Sequence, residues 1–290
     1  MTDFSGPTSH YYFSQRLRLH YVDWGNPEAP PLLLIHGGRD HCRNWDWVAR
    51  ELRHDYHVIA PDLRGHGDSQ WITGGTYTTT DYVYDIAQLV HQLQLAPLRI
   101  VAHSMGGNIA LRYTGIYPDN VSKLVAIEGL GPSPQMLEKL RESTVDENLR
   151  GWIAQLRKIS GRQIKRYPTL KEAATRMNKA NPHLSPAQAL HLTVHGVNQN
   201  EDGTYSWKFD NYTYAFPSVG MSWEDTTRIY GMITCPTLLV YGDESSASNP
   251  IVDGRDQSFQ NAQVKSLPKA GHWVHHDQLQ LFVDLLQDFL

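Results

Sequence analysis

Short apolar runs recur along the chain, and each ends at a glycine, a proline or a polar turn. Segments with the spacing of amphipathic helices separate several of these runs, and they lie at 81–94, 106–117 and 276–290. Near-continuous apolar runs are typical of parallel strands that are covered on both faces. The alternation therefore predicts an α/β fold with a mostly parallel sheet flanked by helices and right-handed crossovers. The predicted parallel strands are 32–35, 57–60, 98–102, 123–127, 237–241 and 264–267.

Two parts of the chain depart from this alternation. Residues 11–13 and 17–22 predict an antiparallel hairpin that joins the edge of the sheet. Residues 132–232 carry helical patterns but no apolar run typical of a parallel strand. We therefore predict a core formed by 1–131 and 233–290, with 132–232 inserted as a helical cap over the sheet. The helices predicted within the cap are 134–143, 147–159, 169–180 and 185–197.

The composition narrows the class of protein. Of the 290 residues 40% are hydrophobic, which gives the chain the apolar side chains that a disordered protein lacks. The net charge of −4 predicts neither a nucleic-acid partner nor a membrane partner, because both need a basic face or segment. The sequence shows no signal peptide and no apolar stretch of membrane-spanning length. We expect a cytoplasmic protein in which Cys42 and Cys235 are free thiols.

Ser104 carries the clearest chemical signal. It lies between a predicted strand and a predicted helix, with Ala102 two residues before it and Gly106 two residues after it. A turn this tight tolerates only small side chains at those two positions, as in the Gly-x-Ser-x-Gly pattern of a nucleophile elbow. The alternative is a serine that merely caps the helix. The strand before it and the helix after it favour the nucleophile.

A second signal follows an earlier strand, at His36-Gly37-Gly38. Acyl transfer passes through an oxyanion, which preorganised backbone N–H groups stabilise. We expect the N–H groups of Gly38 and Met105 to form this oxyanion hole, and His36 to have a structural role. The alternative is a simple glycine turn after the strand.

His272 is the expected base for Ser104. It follows the last predicted strand in the run Ala270-Gly271-His272-Trp273, where a loop can reach over the carboxyl edge of the sheet. A serine hydroxyl is a weak nucleophile until a base takes its proton, and imidazole does so near neutral pH. His275 and His276 lie close by at the start of the final predicted helix, and we expect both to be surface or capping residues.

Taken together, these motifs resemble the α/β-hydrolase family across nearly the whole chain. The matching segments are 36–38, 61–69, 103–107 and 271–272. The resemblance implies an eight-stranded, mostly parallel sheet, a cap inserted after the sixth strand and a triad of serine, acid and histidine. It also implies that the loop from Asp62 to Ser69 is mainly structural.

The third member of the triad is ambiguous. The family usually places the acid after the seventh strand, three residues beyond a glycine, where this chain has Ser245. Asp243 and Glu244 lie one or two residues before that position. Some relatives carry the acid at the end of the sixth strand instead, where this chain has Glu128, 24 residues beyond Ser104. A lone carboxylate there needs a buried partner, and His272 would be that partner. We favour Glu128 and keep Asp243 and Glu244 as alternatives.

The nucleophile constrains the reaction. Epoxide hydrolases and dehalogenases of this family use an aspartate at the elbow, so Ser104 favours acyl transfer to water. We predict a carboxylesterase that cleaves a small to medium hydrophobic ester without a cofactor or a metal ion. Aromatic residues of the cap and of the oxyanion side, with Trp45 and Trp207 foremost, are the predicted pocket. The other candidates are Trp47, Trp152, Tyr205, Tyr212, Tyr214 and Phe216.

Other functions remain compatible with the same residues. A carbon–carbon bond hydrolase, a perhydrolase and a ligand receptor that keeps the triad are the alternatives. Activity on β-diketones without activity on aryl esters would distinguish the first, and labelling of the serine without turnover would distinguish the receptor. The sequence leaves the oligomeric state open.

Overall fold

A computed structural model of the chain describes residues 6–215 and 220–290, and a mostly parallel sheet of eight strands forms its centre. Its strands are β1 (Thr8–Ser14), β2 (Leu17–Asp23), β3 (Pro31–Ile35), β4 (His57–Pro61), β5 (Leu98–His103), β6 (Val121–Ile127), β9 (Thr237–Gly242) and β10 (Ala262–Leu267), and a separate pair is formed by β7 (Val197–Gln199) and β8 (Tyr205–Trp207). The order across the sheet is β1-β2-β4-β3-β5-β6-β9-β10. The strands from β4 to β10 in this order pair in parallel, and β1 and β2 form the antiparallel edge, as predicted.

Helices cover both faces of this sheet. Among the described residues the α-helices of the chain are α1 (Asp46–Leu52), α2 (Thr79–Gln92), α3 (Met105–Ile116), α4 (Pro134–Glu142), α5 (Val145–Ser160), α6 (Leu170–Ala180), α7 (Pro186–Gly196), α8 (Trp223–Tyr230), α9 (Pro250–Asp253), α10 (Val274–Asp277) and α11 (Leu279–Phe289). Successive strand residues face opposite sides, so Ile100 packs with α2, α3 and α8 while Val101 packs with α1 and α11. The apolar runs in the sequence are continuous because both faces are buried.

The segment between β6 and β9 holds α4 to α8. Its first four helices begin and end within about two residues of the predicted limits, since serine or threonine caps start each one. The antiparallel pair of β7 and β8 was not predicted. α8 packs against the core helix α3, where a Cβ built on Gly115 would lie 2.3 Å from the Ile229 carbonyl oxygen. The limits 132–232 for the cap stay a prediction.

Two further features concern the end of the chain and its relation to membranes. The single helix predicted over 276–290 is two helices, because Gln278 leaves the helical conformation with φ −131° and ψ 53°. Across 6–215 and 220–290, no helix combines the length and the apolar character needed to cross a lipid bilayer.

Candidate active site

Ser104 occupies a strained turn between β5 and α3. Its φ of 51° and ψ of −117° lie in a region that side-chain-bearing residues rarely adopt. Its N–H donates to the Ile127 carbonyl oxygen over 2.7 Å. A Cβ on Gly106 would lie 2.4 Å from the His36 carbonyl oxygen, so only glycine fits there. The packing explains the small residues that the sequence places around Ser104.

His272 reaches Ser104 from the loop between β10 and α10. Its Nε2 lies 2.9 Å from the Ser104 Oγ. A hydrogen bond fixes the backbone of this loop, because the His103 Nε2–H donates to the His272 carbonyl oxygen over 2.9 Å. The imidazole remains accessible, with 47% of its side chain exposed. It can therefore accept a proton from the hydroxyl and pass it to a bound molecule.

Glu128 contacts the other nitrogen of the same imidazole. The Glu128 side chain is fully buried, and its Oε2 accepts a hydrogen bond from the His272 Nδ1–H. The Ser245 hydroxyl donates to Oε2 over 2.7 Å, and the Gly242 N–H donates to Oε1 over 3.0 Å. Burying a carboxylate costs free energy unless hydrogen-bond donors replace the water molecules that solvate it. The His272 ring, the Ser245 hydroxyl and the Gly242 N–H are those donors for Glu128.

The two alternative acids point elsewhere. Asp243 is exposed, and its Oδ1 accepts from the Ala270 N–H over 3.4 Å. Glu244 is also exposed and lies 3.9 Å from the Nε2 of His183 in the cap. The structure thus brings Glu128, and neither alternative, to His272. Ser245 was considered only as the place where a carboxylate is missing, and its role as a donor to Glu128 escaped the sequence reasoning.

The glycine loop after β3 runs beside the serine. A Cβ on Gly37 would lie 3.3 Å from the Ser104 Cβ, and one on Gly38 would lie 3.7 Å from the Met105 Sδ. Met105 is the first residue of α3, and the first N–H groups of a helix have no partner within the helix. The loop therefore places Gly38 next to the N-terminus of α3, where backbone N–H groups without a partner in the helix lie beside the Ser104 turn.

His36 and Asp62 form hydrogen bonds inside the protein. The His36 Nδ1–H donates to the Gly37 carbonyl oxygen over 2.6 Å, and its Nε2 accepts from the Leu63 N–H over 3.0 Å. Burial lowers the pKa of His36 to about 3, so the ring is neutral. Asp62 accepts from the His20 ring over 2.7 Å and from two backbone N–H groups. These contacts hold the loop after β4 against the oxyanion loop.

The structure corrects the expectation for His275 and His276. Both are buried rather than exposed, since α10 packs against the core and directs them inward. The His275 Nε2–H donates to the Asn44 Oδ1 over 2.6 Å. Burial lowers the pKa of His276 to about 3 and places that of His275 well below its ordinary value.

Of the predicted pocket residues, Trp45 needs correction. Trp45 has no exposed surface and stacks on His275 with ring centroids 4.5 Å apart, so it belongs to the core. Trp207 lines a small cavity together with Arg39 and Lys208, and its indole donates to the Tyr167 hydroxyl over 3.3 Å, so its place in the pocket stays a prediction. Phe216 lies outside the described residues. A cavity of about 250 Å³ lies beside Glu128 and is lined by Leu130, Pro132, Met136, Tyr241 and Ala247 among others, but neither Ser104 nor His272 lines it.

Within residues 6–215 and 220–290, two groups of side chains have the composition of metal sites. His20, Cys42 and Asp62 lie together in the core, and Asp46, His191 and His195 lie where α1 meets α7. In each group the carboxylate already has internal donors, with His20 on Asp62 and Arg43 on Asp46. Hydrogen bonds therefore account for both groups. Cys42 and Cys235 are free, buried thiols.

Comparison with known proteins decides the family. Residues 30–279 match the family described as the alpha/beta hydrolase fold. The chain belongs to the α/β-hydrolase family. Its sheet order, its nucleophile turn and the insertion between β6 and β9 agree with this membership.

Relatives within the family carry several activities. A serine hydrolase-like protein of Danio rerio is 29% identical over 62% of this chain, which spans only 55% of that relative. Esterase Rv0045c of Mycobacterium tuberculosis is 24% identical over 99% of this chain and 91% of its own length. The thioesterase domain from the curacin biosynthetic pathway superposes with a TM-score of 0.85 at 26% identity, over 98% of this chain and 100% of that one. Proteins named epoxide hydrolases also match. The comparisons thus support hydrolase activity, but they do not identify the type of bond that is cleaved.

Proposed function

We propose that this hydrolase is a serine esterase in which Ser104 is the nucleophile, His272 the base and Glu128 the acid. The observation that carries the proposal is the continuous series of contacts from the Ser104 Oγ through both nitrogens of His272 to Glu128. The acid holds the imidazole in the tautomer whose Nε2 accepts a proton, and it stabilises the imidazolium that forms.

The reaction follows from these positions. The Ser104 Oγ attacks the ester carbonyl carbon while His272 takes the hydroxyl proton, and the carbonyl oxygen becomes an oxyanion. The N–H groups of Gly38 and Met105 stabilise that charge. His272 then protonates the leaving alcohol, which leaves an acyl group on Ser104. A water molecule activated by His272 hydrolyses this acyl-enzyme and restores the serine.

A serine at the elbow separates this chain from its relatives named epoxide hydrolases, which by the family pattern use an aspartate there. The likeness to a thioesterase domain favours thioesters as the second substrate class, because the same acyl-enzyme chemistry serves both. Carboxylic esters of small to medium size are the first class that we propose, because the contacts from Ser104 through His272 to Glu128 suit acyl transfer to water.

The test combines labelling with turnover. Wild type is expected to react with a fluorophosphonate probe and to hydrolyse 4-nitrophenyl esters, whereas Ser104→Ala is expected to do neither. His272→Ala is expected to lose turnover while keeping its fold by circular dichroism. Asp243→Asn is the control for general effects near the site and is expected to stay close to wild type. Labelling or turnover that persists in Ser104→Ala would contradict the proposal.

A further inference from the structure

Arg39 follows the two glycines that run past the nucleophile. A Cβ built on Gly37 would lie 3.3 Å from the Ser104 Cβ, and Arg39 follows two residues later, so its Cα lies at most about 12 Å from the Ser104 Cβ. Arg39 has a φ of 63°, a left-handed conformation that costs a residue with a Cβ about 1 kcal/mol or more. Its side chain is exposed. A long, exposed cationic side chain therefore follows the glycine loop that runs beside Ser104.

A second arginine comes from the cap to the same place. The Arg39 Cζ lies 4.7 Å from the centroid of the Tyr214 ring, and the Arg162 Cζ lies 5.5 Å from that centroid. The ring is itself held in the cap, because the Gln155 amide donates to the Tyr214 carbonyl oxygen over 2.6 Å and Phe209 packs edge-on against the ring. The Tyr214 ring therefore contacts one cationic side chain of the core, Arg39, and one of the cap, Arg162.

Neither guanidinium has an ion pair among residues 6–215 and 220–290. The nearby carboxylates are committed to other donors. Asp40 is buried and accepts from the His41 N–H, Asp68 pairs with the Lys208 Nζ at 2.8 Å, and Asp210 accepts from the Tyr77 hydroxyl at 2.7 Å. The face of one ring stabilises an exposed cation by only about 0.5–1 kcal/mol. The guanidinium groups of Arg39 and Arg162 carry like charges beside the same Tyr214 ring, so they also repel each other.

We propose that Arg39 and Arg162 bind a carboxylate of the substrate above Tyr214. A guanidinium presents donors in a planar fork that matches the two oxygens of a carboxylate, and an anion between two such groups relieves their repulsion. The inference rests on the proposed esterase function and adds the substrate class: an ester or thioester that also carries a free carboxylate. The carboxylate belongs either to the acyl part or to the leaving group.

Matched pairs of substrates test this preference. For the acyl part, the 4-nitrophenyl half-ester of suberic acid is compared with 4-nitrophenyl octanoate. For the leaving group, 4-acetoxybenzoate is compared with the neutral 4-acetoxybenzamide. In wild type the anionic member of at least one pair is expected to have the higher kcat/KM, and that pair shows which side carries the carboxylate. Added salt is expected to reduce the ratio of the two kcat/KM values, because it screens the attraction.

The arginine variants then decide the assignment. Arg39→Gln and Arg162→Gln are each expected to lower the anionic-to-neutral ratio of kcat/KM by about tenfold, as for a hydrogen bond to a charged group. Arg39→Lys is expected to retain part of the preference. The matched control is Arg157→Gln, which changes an exposed arginine of α5 that makes no contact with Tyr214. This variant is expected to keep the wild-type anionic-to-neutral ratio of kcat/KM.

The outcomes separate the two proposals. A wild-type ratio near one in both pairs, or a preference that survives in both arginine variants, would overturn the carboxylate site and leave the esterase proposal standing. Turnover of these substrates by Ser104→Ala would instead overturn the esterase proposal itself.

Discussion

Replacing Glu128 with glutamine is the most informative single change, because it alters one atom of a buried hydrogen-bond network. The Gly242 N–H needs an oxygen at the Oε1 position, so the new amide nitrogen takes the place of Oε2 beside His272. That nitrogen donates where Oε2 accepted. The imidazole must then carry its proton on Nε2, where it can no longer accept the Ser104 proton.

The expected magnitude follows from the tautomer. An acid-to-amide change that leaves the geometry intact but fixes the wrong tautomer costs about 10⁴ in kcat, or about 5 kcal/mol of transition-state stabilisation. We expect a comparable loss in kcat for Glu128→Gln, with KM much less affected and fluorophosphonate labelling slowed in parallel. Stopped assays with 4-nitrophenyl acetate at high enzyme concentration measure a decrease of this size.

A control and a rescue sharpen this experiment. Glu244→Gln makes the same chemical change at an exposed carboxylate and is expected to leave kcat close to wild type. The Ser245 Oγ lies 2.7 Å from the Glu128 Oε2, so Ser245→Asp in the Glu128→Gln background brings a carboxylate back to His272. It is expected to recover at least about tenfold in kcat. Glu128→Gln with near wild-type kcat would refute the assignment of the acid.

Three further predictions concern the surroundings of the site. Gly242→Ala would place a Cβ 2.3 and 2.4 Å from two backbone carbonyl oxygens of the loop before His272, so thermal denaturation should show a Tm several degrees lower and assays a large loss of kcat, whereas Gly151→Ala on exposed α5 should not lower the Tm. Ser245→Ala removes one donor from the buried carboxylate and is expected to lower kcat/KM by about tenfold in the ester assay, and no change would contradict the role assigned to this hydroxyl. Burial lowers the pKa of several histidines, to about 3 or 4, so the unfolded state binds more protons below pH 6.5, and stability is present above that pH and lost as pH falls. Each such histidine costs roughly 2 kcal/mol at pH 5, and denaturant titrations at pH 7 and pH 5 should show a smaller loss in His66→Gln than in the exposed control His54→Gln. The buried histidines with these values are His36, His66 and His276.

The elements of the sheet were predictable because their signals are local. Apolar runs covered on both faces and helices with one apolar side are written into successive residues, and the cap helices carry their own serine or threonine caps. The pair of β7 and β8 was missed because strands of three residues are too short to show a periodicity. The break at Gln278 was missed since the apolar spacing continues across it.

Residues whose environment depends on distant parts of the chain were harder to predict. Trp45 was expected in the pocket, yet it stacks under the site on a histidine 230 positions later. His275 and His276 were expected at the surface because they lie at the start of the final predicted helix, whereas the packing of α10 against the core buries both. Arg39 and Arg162 gave no signal in the sequence, because only the folded chain brings both of them to the Tyr214 ring.

The sequence by itself determined the α/β sheet, the strand-to-helix turn at Ser104 and the loop position of His272, because small flanking residues and strand ends can be recognised from neighbouring positions. It narrowed the acid to three carboxylates and favoured Glu128. Only the tertiary structure placed Glu128 on the His272 imidazole, 144 residues away in the chain, and recruited Ser245 to hold it. The physical reason is that a buried carboxylate is stabilised by donors from whichever strands the fold makes its neighbours, and a linear pattern does not specify those neighbours.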